Sequence, residues 1–104
     1  MAKKELIGKL SSEEIDALKV KHGEIFQIAV GGHVIYLRKP QRQDISIAHR
    51  VSGMIGSLEY FESLMENCYV GGSKEVIMND SLFLTAYMEF DKVVEVYVSE
   101  LKKL

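Results

Sequence analysis

Glu66-Asn67-Cys68-Tyr69-Val70-Gly71-Gly72-Ser73-Lys74-Glu75 is the stretch whose reading decides the fold. A long apolar-periodic segment runs up to it and a second leaves just beyond it, so its double glycine sets how the two meet. Glycine alone takes positive φ without steric cost, and Gly71-Gly72 therefore reads as the point where the backbone turns.

Upstream, Ile47, Val51, Met54, Leu58, Phe61, Met65 and Cys68 recur at alternating spacings of four and three, with Ala48 and Ile55 widening the stripe. The period is helical from about Gln43, and the stripe from Ile47 to Cys68 predicts one helix of roughly six turns, about 35 Å long, which is more than a small domain easily hides. Gly53 and Gly56 fall inside it, each at about 1 kcal/mol relative to alanine. They read as close packing against another backbone, as a kink, or as simple drift.

Downstream, Ser73–Met78 has room for one helical turn, and Asn79-Asp80-Ser81 offers a cap for a last helix from about Ser81 to Lys102. Phe83, Ala86, Phe90, Val93, Val94, Tyr97, Leu101 and Leu104 hold its inward spacing, while Leu82, Leu84, Tyr87 and Met88 add apolar surface on other faces. Lys102 and Lys103 suit the negative end of a helix dipole.

Toward the N-terminus, Ile25–Val30 and His33–Arg38 flank Gly31-Gly32, a two-residue hairpin turn. That turn pairs Val30 with His33, Ile28 with Ile35 and Phe26 with Leu37 on a nearly all-apolar face. The other face pairs Ala29 with Val34, Gln27 with Tyr36 and Ile25 with Arg38, a mixture suited to partial exposure. Lys39-Pro40 ends the ribbon, since proline removes a ladder donor. Before it, Ser11 to Glu14 forms a capping-box pattern for a short helix whose modest apolar face is Ile15, Leu18 and Val20, ended by Gly23. Met1–Leu10 reads as a flexible lead-in. The expected fold class is α+β in a single domain over residues 11–104: a short N-terminal helix, a two-stranded antiparallel β-hairpin, then two long amphipathic helices joined by a Gly-Gly turn and a short helical turn.

At 104 residues, 47% hydrophobic and 27% charged, the chain has room for one core but not two. A single cysteine excludes an internal disulfide and any multi-cysteine zinc site. No apolar run approaches the length needed to cross a bilayer and the N-terminus lacks a signal-peptide core, so no membrane partner is expected and the protein is read as cytoplasmic. Net charge is −2, yet residues 59–101 carry nine acids against Lys74 and Lys92. The thin basic excess of the first half accompanies no nucleic-acid-binding motif, so no nucleic-acid partner is expected.

Catalytic signatures are weak throughout. His22, His33 and His49 share no ligand spacing, so neither metal nor cofactor is expected. Cys68 could pair with a histidine as a nucleophile, but its place in the apolar series reads as a buried, inert thiol. Gly71-Gly72-Ser73-Lys74 lacks the spacing of a phosphate loop and follows a helix rather than a strand. Glu59, Glu62 and Glu66 form a solvated stripe at helical spacing rather than an acid/base pair. Met54, Met65 and Met88 are core filler or an adaptable binding surface. The protein is read as a non-enzyme.

The order of parts adds a further clue. An extended segment ending in Leu37-Arg38-Lys39-Pro40, a long helix running into Cys68-Tyr69-Val70-Gly71-Gly72, and Asn79-Asp80-Ser81 opening a closing helix resemble the small tail assembly chaperones of long-tailed bacteriophages. The resemblance covers about residues 22–104. It implies a non-catalytic protein of the host cytoplasm that acts in virion morphogenesis, holding the tape measure protein while tail-tube subunits polymerise around it. Pro40, Cys68, Gly71, Gly72 and Asp80 match the shared motifs, as structural positions. The competing readings are a small oligomeric structural or adaptor subunit of a phage particle, and a small regulatory binding protein.

Two amphipathic helices with surplus apolar surface and a ribbon with one oily face also predict a homo-oligomer. The candidate interaction residues are Phe26, Ile28, Ile35 and Leu37 on the hairpin and Val51, Met54, Leu58 and Phe61 on the long helix, forming either the core or the self-association face. Ile28→Asp should then cost several kcal/mol by burying an unpaired charge. A chemical-denaturation midpoint equal to the wild type's would overturn that assignment.

Overall fold

A computed structural model describes residues 6–96 and 101–104, with the side chains of 94–96 set aside. Among them the order is α1 (Ser12–His22), β1 (Ile25–Val30), β2 (His33–Arg38), α2 (Arg42–Ser52), α3 (Leu58–Cys68), β3 (Tyr69–Gly72), α4 (Glu75–Met78) and α5 (Asp80–Val96). The fold is α+β. It departs from expectation in having three strands, in the antiparallel order β1-β2-β3.

The β-hairpin pairs as its turn dictates. Val30 faces His33, Ile28 faces Ile35 and Phe26 faces Leu37, and the alternate pairs follow. Ile28, Ile35 and Leu37 turn one face onto α3, α4 and α5, where Phe61, Leu64, Met65, Val76, Phe83 and Phe90 complete the core. The capping box of α1 forms as Ser11 and Glu14 exchange bonds, and Gly23 closes the helix. Ile15 and Leu18 are half-buried, but Val20 is 90% exposed and belongs to no apolar face.

The second face of β2 is not partly exposed as expected, because Val34 and Tyr36 are fully buried. The chain covers them from both directions. Val34 donates its N–H to the Ile7 carbonyl and accepts from the Ser73 N–H at 2.7 Å, and the Leu10 N–H donates to the Tyr36 hydroxyl. The expected lead-in is thus fixed from Leu6 to Leu10, with Ile7 bridged to His33; its first five residues lie outside the described ones.

Gly71-Gly72 is not an interhelical turn but the end of β3, paired with Tyr36 and Ile35. Closeness of approach explains the glycines. A Cβ on Gly72, where φ is +89°, would stand 2.5 Å from the Val34 carbonyl oxygen, and one on Gly71 would meet the Leu10 side chain at 2.9 Å.

The single long helix expected from Gln43 to Cys68 is two. Gly53, in the left-handed conformation, caps α2 by donating to the His49 carbonyl, and Ser57 caps α3 by accepting from the Tyr60 N–H. Between them the chain reverses, so α2 and α3 form a helical hairpin. Its burial differs accordingly: Asp44 and Ala48 face inward on α2, with Tyr60, Phe61, Leu64, Met65 and Cys68 on α3. At the far end, the cap expected from Asn79-Asp80-Ser81 is supplied by Asn79, whose Oδ1 accepts from the Leu82 N–H. Helix α5 does not reach Lys102. Leu101 and Leu104, expected on its inward face, are fully exposed outside any helix, while Tyr97 and the Val94 side chain lie outside the described residues. Among the described residues no helix is long and apolar enough to cross a membrane.

One ion pair ties sheet and helices together. At the end of β2, Arg38 donates from Nη1 to Asp44 Oδ2 and from Nη2 to Asp44 Oδ1 at 2.8 Å and to the Asn67 carbonyl at 2.9 Å. Asp44 also accepts from the Gln41 N–H. The start of α2 and the end of α3 are thereby held on one guanidinium, which fixes the two helices as antiparallel. The Arg38 bond holds the Asp44 carboxyl below its ordinary range, against a desolvation that works the other way. Beside this pair Cys68 is fully buried, and burial pushes its thiol up to about 12, which makes it a packing residue at neutral pH.

Asp44→Asn should lower stability by about 2–3 kcal/mol at pH 7, since it leaves a mostly buried guanidinium without its charge partner. Because folding depresses the Asp44 pKa, its contribution is present above the ordinary carboxylate value of about 3.9 and fades as pH falls below it. Urea midpoints of wild type and variant should therefore hold their separation down to about pH 5 and draw together as pH falls further toward 3. A gap that stays constant would show that the charge of Asp44 contributes nothing.

Candidate interaction surface

The reversal between α2 and α3 keeps its polar groups inside the turn and its apolar ones outside. Ser52 donates its hydroxyl to the Ala48 carbonyl at 2.8 Å and accepts from the Met54 N–H. Ser57 donates to the Met54 carbonyl and accepts from the Tyr60 N–H. With the backbone satisfied by two serines, the tip has no need of tertiary cover. Val51, Met54 and Ile55 stand 62–70% exposed there, and Leu58, at the foot of the turn, is 46% exposed.

Leu58 also forms one wall of a groove of about 320 Å³ between α3 and the first turns of α5, lined by Leu58, Glu59, Glu62, Asp80, Phe83 and Leu84. Its floor is rigid. Phe83 is buried and stacks on Tyr87 with ring centroids 5.8 Å apart, and Tyr87 in turn leans on Phe61 at 5.3 Å. Leu84 and, one turn further along α5, Met88 carry the apolar surface past the groove. Glu59, Glu62 and Asp80 are all exposed and line it as unpaired acids, since the ion pairs found among the described residues are Arg38–Asp44 and Lys92–Glu89. The result is an apolar strip with a negative margin, which suits an apolar stripe flanked by lysine or arginine better than a small neutral ligand.

The residues singled out from sequence divide between two environments. Ile28, Ile35, Leu37 and Phe61 are core, and Phe26 is half-buried beside them. Val51 and Met54 stand at the tip, with Leu58 at its foot on the groove wall. Of the motif positions, Pro40 precedes α2, Cys68 closes α3, Gly71 and Gly72 end β3, and Asp80 sits on the groove rim. Met65 is core filler, whereas Met54 and Met88 are exposed. Ile55, Phe83 and Leu84 were not singled out as site residues; Ser57, three places before Tyr60, is the sequence signal for the second helix start that creates the groove wall.

The histidines stand apart from this surface. His33 Nδ1 lies 2.8 Å from the Ser73 hydroxyl at the start of the central strand, and His49 is an exposed residue of α2. Among the described residues no three His, Cys, Asp or Glu side chains are placed to hold a metal ion. No family model matches the chain, and neither a curated protein nor a solved structure shows significant similarity to it.

Groove wall and groove floor should separate cleanly on mutation. Leu84→Glu should change unfolding free energy by no more than about 0.5 kcal/mol, as expected of an exposed position. Phe83→Ala should cost about 3 kcal/mol as a core truncation. Equal losses in urea titrations would mean that the wall is packed rather than open.

Proposed function

We propose that this protein is a non-catalytic assembly chaperone of the kind the sequence resembles, holding the long helical tape measure protein of a phage tail until tail-tube subunits enclose it. The observation that carries the reading is the acid-margined apolar strip formed by Leu58, Phe83, Leu84 and Met88 beside the exposed tip of the helical hairpin. An aggregation-prone helix needs its apolar stripe shielded, and release must remain easy. Half-exposed leucines on a shallow groove supply reversible cover, since each buries only part of its side chain and contributes correspondingly less than the roughly 1.5–3 kcal/mol of a fully buried one. The acids add steering and selectivity for basic flanks more than raw affinity.

A permanently incorporated structural subunit would use the same surface, and the two roles separate by fate: the chaperone leaves before the particle is finished. Co-expression with a phage tape measure protein should give a soluble complex, and the tape measure protein expressed alone should precipitate. Leu58→Glu/Leu84→Glu should reduce the soluble complex ~tenfold or more, the loss of two apolar contacts, with circular dichroism unchanged. Equal solubility with and without the chain would overturn the proposal, as would finding the chain stoichiometric in finished particles.

A further inference from the structure

The two edges of the sheet are protected very unequally. The β3 edge is only four residues long, carries a bulge opposite Tyr36 and Leu37, and has its Gly72 carbonyl accepting from the Tyr69 hydroxyl at 2.6 Å. Such short, irregular and locally satisfied edges resist further pairing. The β1 edge has none of these guards. Ile25-Phe26-Gln27-Ile28-Ala29-Val30 contains no charge, no proline, no glycine and no break in register.

Its hydrogen-bonding phase follows from the turn. A two-residue turn makes Val30 and His33 a bonded pair, so Ile28–Ile35 and Phe26–Leu37 are bonded pairs as well. Val34 confirms this phase, because its own N–H and C=O point away from β1, to Ile7 and Ser73. The N–H and C=O of Ile25, Gln27 and Ala29 therefore point outward from the sheet, and among the described residues no backbone partner meets those of Gln27 and Ala29. Both residues are exposed. Beside them lies a groove of about 240 Å³, lined by Gln27 to Val30 of the strand and by Thr85, Ala86 and Glu89 of α5.

We propose that two copies of this chain pair antiparallel through β1, about a two-fold axis at Gln27, in one continuous sheet ordered β3-β2-β1-β1-β2-β3. In that register Gln27 lies opposite Gln27 of the second copy and Ile25 opposite Ala29, so every outward peptide group of the strand finds a partner, about six hydrogen bonds in all. On the core-facing side half-buried Phe26 meets Ile28 across the axis and extends the apolar face. The occupant is a second copy because the strand is complementary to itself: it is uncharged along its length, so like meets like without repulsion, and the central glutamine amides bond one another. The pairing is isologous and uses up both unguarded edges, which closes the assembly at two. None of this depends on the chaperone reading.

The test is the mass of the full chain by size-exclusion light scattering across a dilution series. Wild type should run as two chains. Gln27→Lys and Gln27→Glu, each setting like charges opposite one another at an exposed position, should weaken the dimer ~tenfold or more, and an equimolar mixture of the two should restore it. Ala29→Pro, which removes an outward N–H that the monomer does not use, should give a monomer with an unchanged far-ultraviolet dichroism spectrum. A wild-type monomer at every concentration would overturn the proposal. So would a dimer that all three substitutions leave intact, or charge variants that fail to recover on mixing.

Discussion

The fold turns on one guanidinium. Arg38 is the last residue of β2, and its fork reaches the first turn of α2 through Asp44 and the last turn of α3 through the Asn67 carbonyl. A planar, bidentate donor fixes direction as well as distance, which an ammonium on a flexible stem would not. Helices that begin and end on the same side chain must run back along each other, so the reversal between them is thrown to the opposite end. The exposed tip and the groove wall at Leu58 exist where they do because the other end is pinned to the sheet. Taking this pair out of water is unfavourable in itself; its worth lies in the arrangement that it selects.

What could be read from the sequence was local. The β-hairpin register follows from a two-glycine turn and alternating side chains, both visible within a dozen residues, and the α1 capping box is as local. The long helix failed for a physical reason. Apolar periodicity reports which residues would share a face if the helix continued, not whether anything covers that face, and Ile47 to Cys68 keep their phase straight across the break. The glycines and serines at 52–57 carried the deciding information, through caps that satisfy the backbone without tertiary help. The burial of Val34 and Tyr36 was out of reach because their cover, Leu6–Leu10, shows no pattern of its own. The same is true of the Gly71-Gly72 strand, whose requirement is set by chain that lies far away in sequence.

The candidate interaction surface was half legible. Val51, Met54 and Leu58 stood out as part of one seam, and they are exposed, but they are divided between the end of α2, the turn and the start of α3 rather than aligned along a single helix. The groove that completes the site needs Leu58 of one helix beside Leu84 of another, a neighbourhood made only by the reversal at Gly53 and the start of α5 at Asn79. The acidic tilt of the second half, visible as mere composition, becomes a margin once Glu59, Glu62 and Asp80 are brought to one rim.

Val34 has a consequence for how the molecule is made. Its amide is bonded to a residue near the beginning of the chain and its carbonyl to Ser73, well beyond it. The hairpin needs only residues within about a dozen positions of one another, whereas the Val34 carbonyl of the central strand is met by Ser73. The bond to Ser73 spans 39 positions, so the sheet is completed by contacts of long sequence separation, and topology of that kind sets the pace of folding.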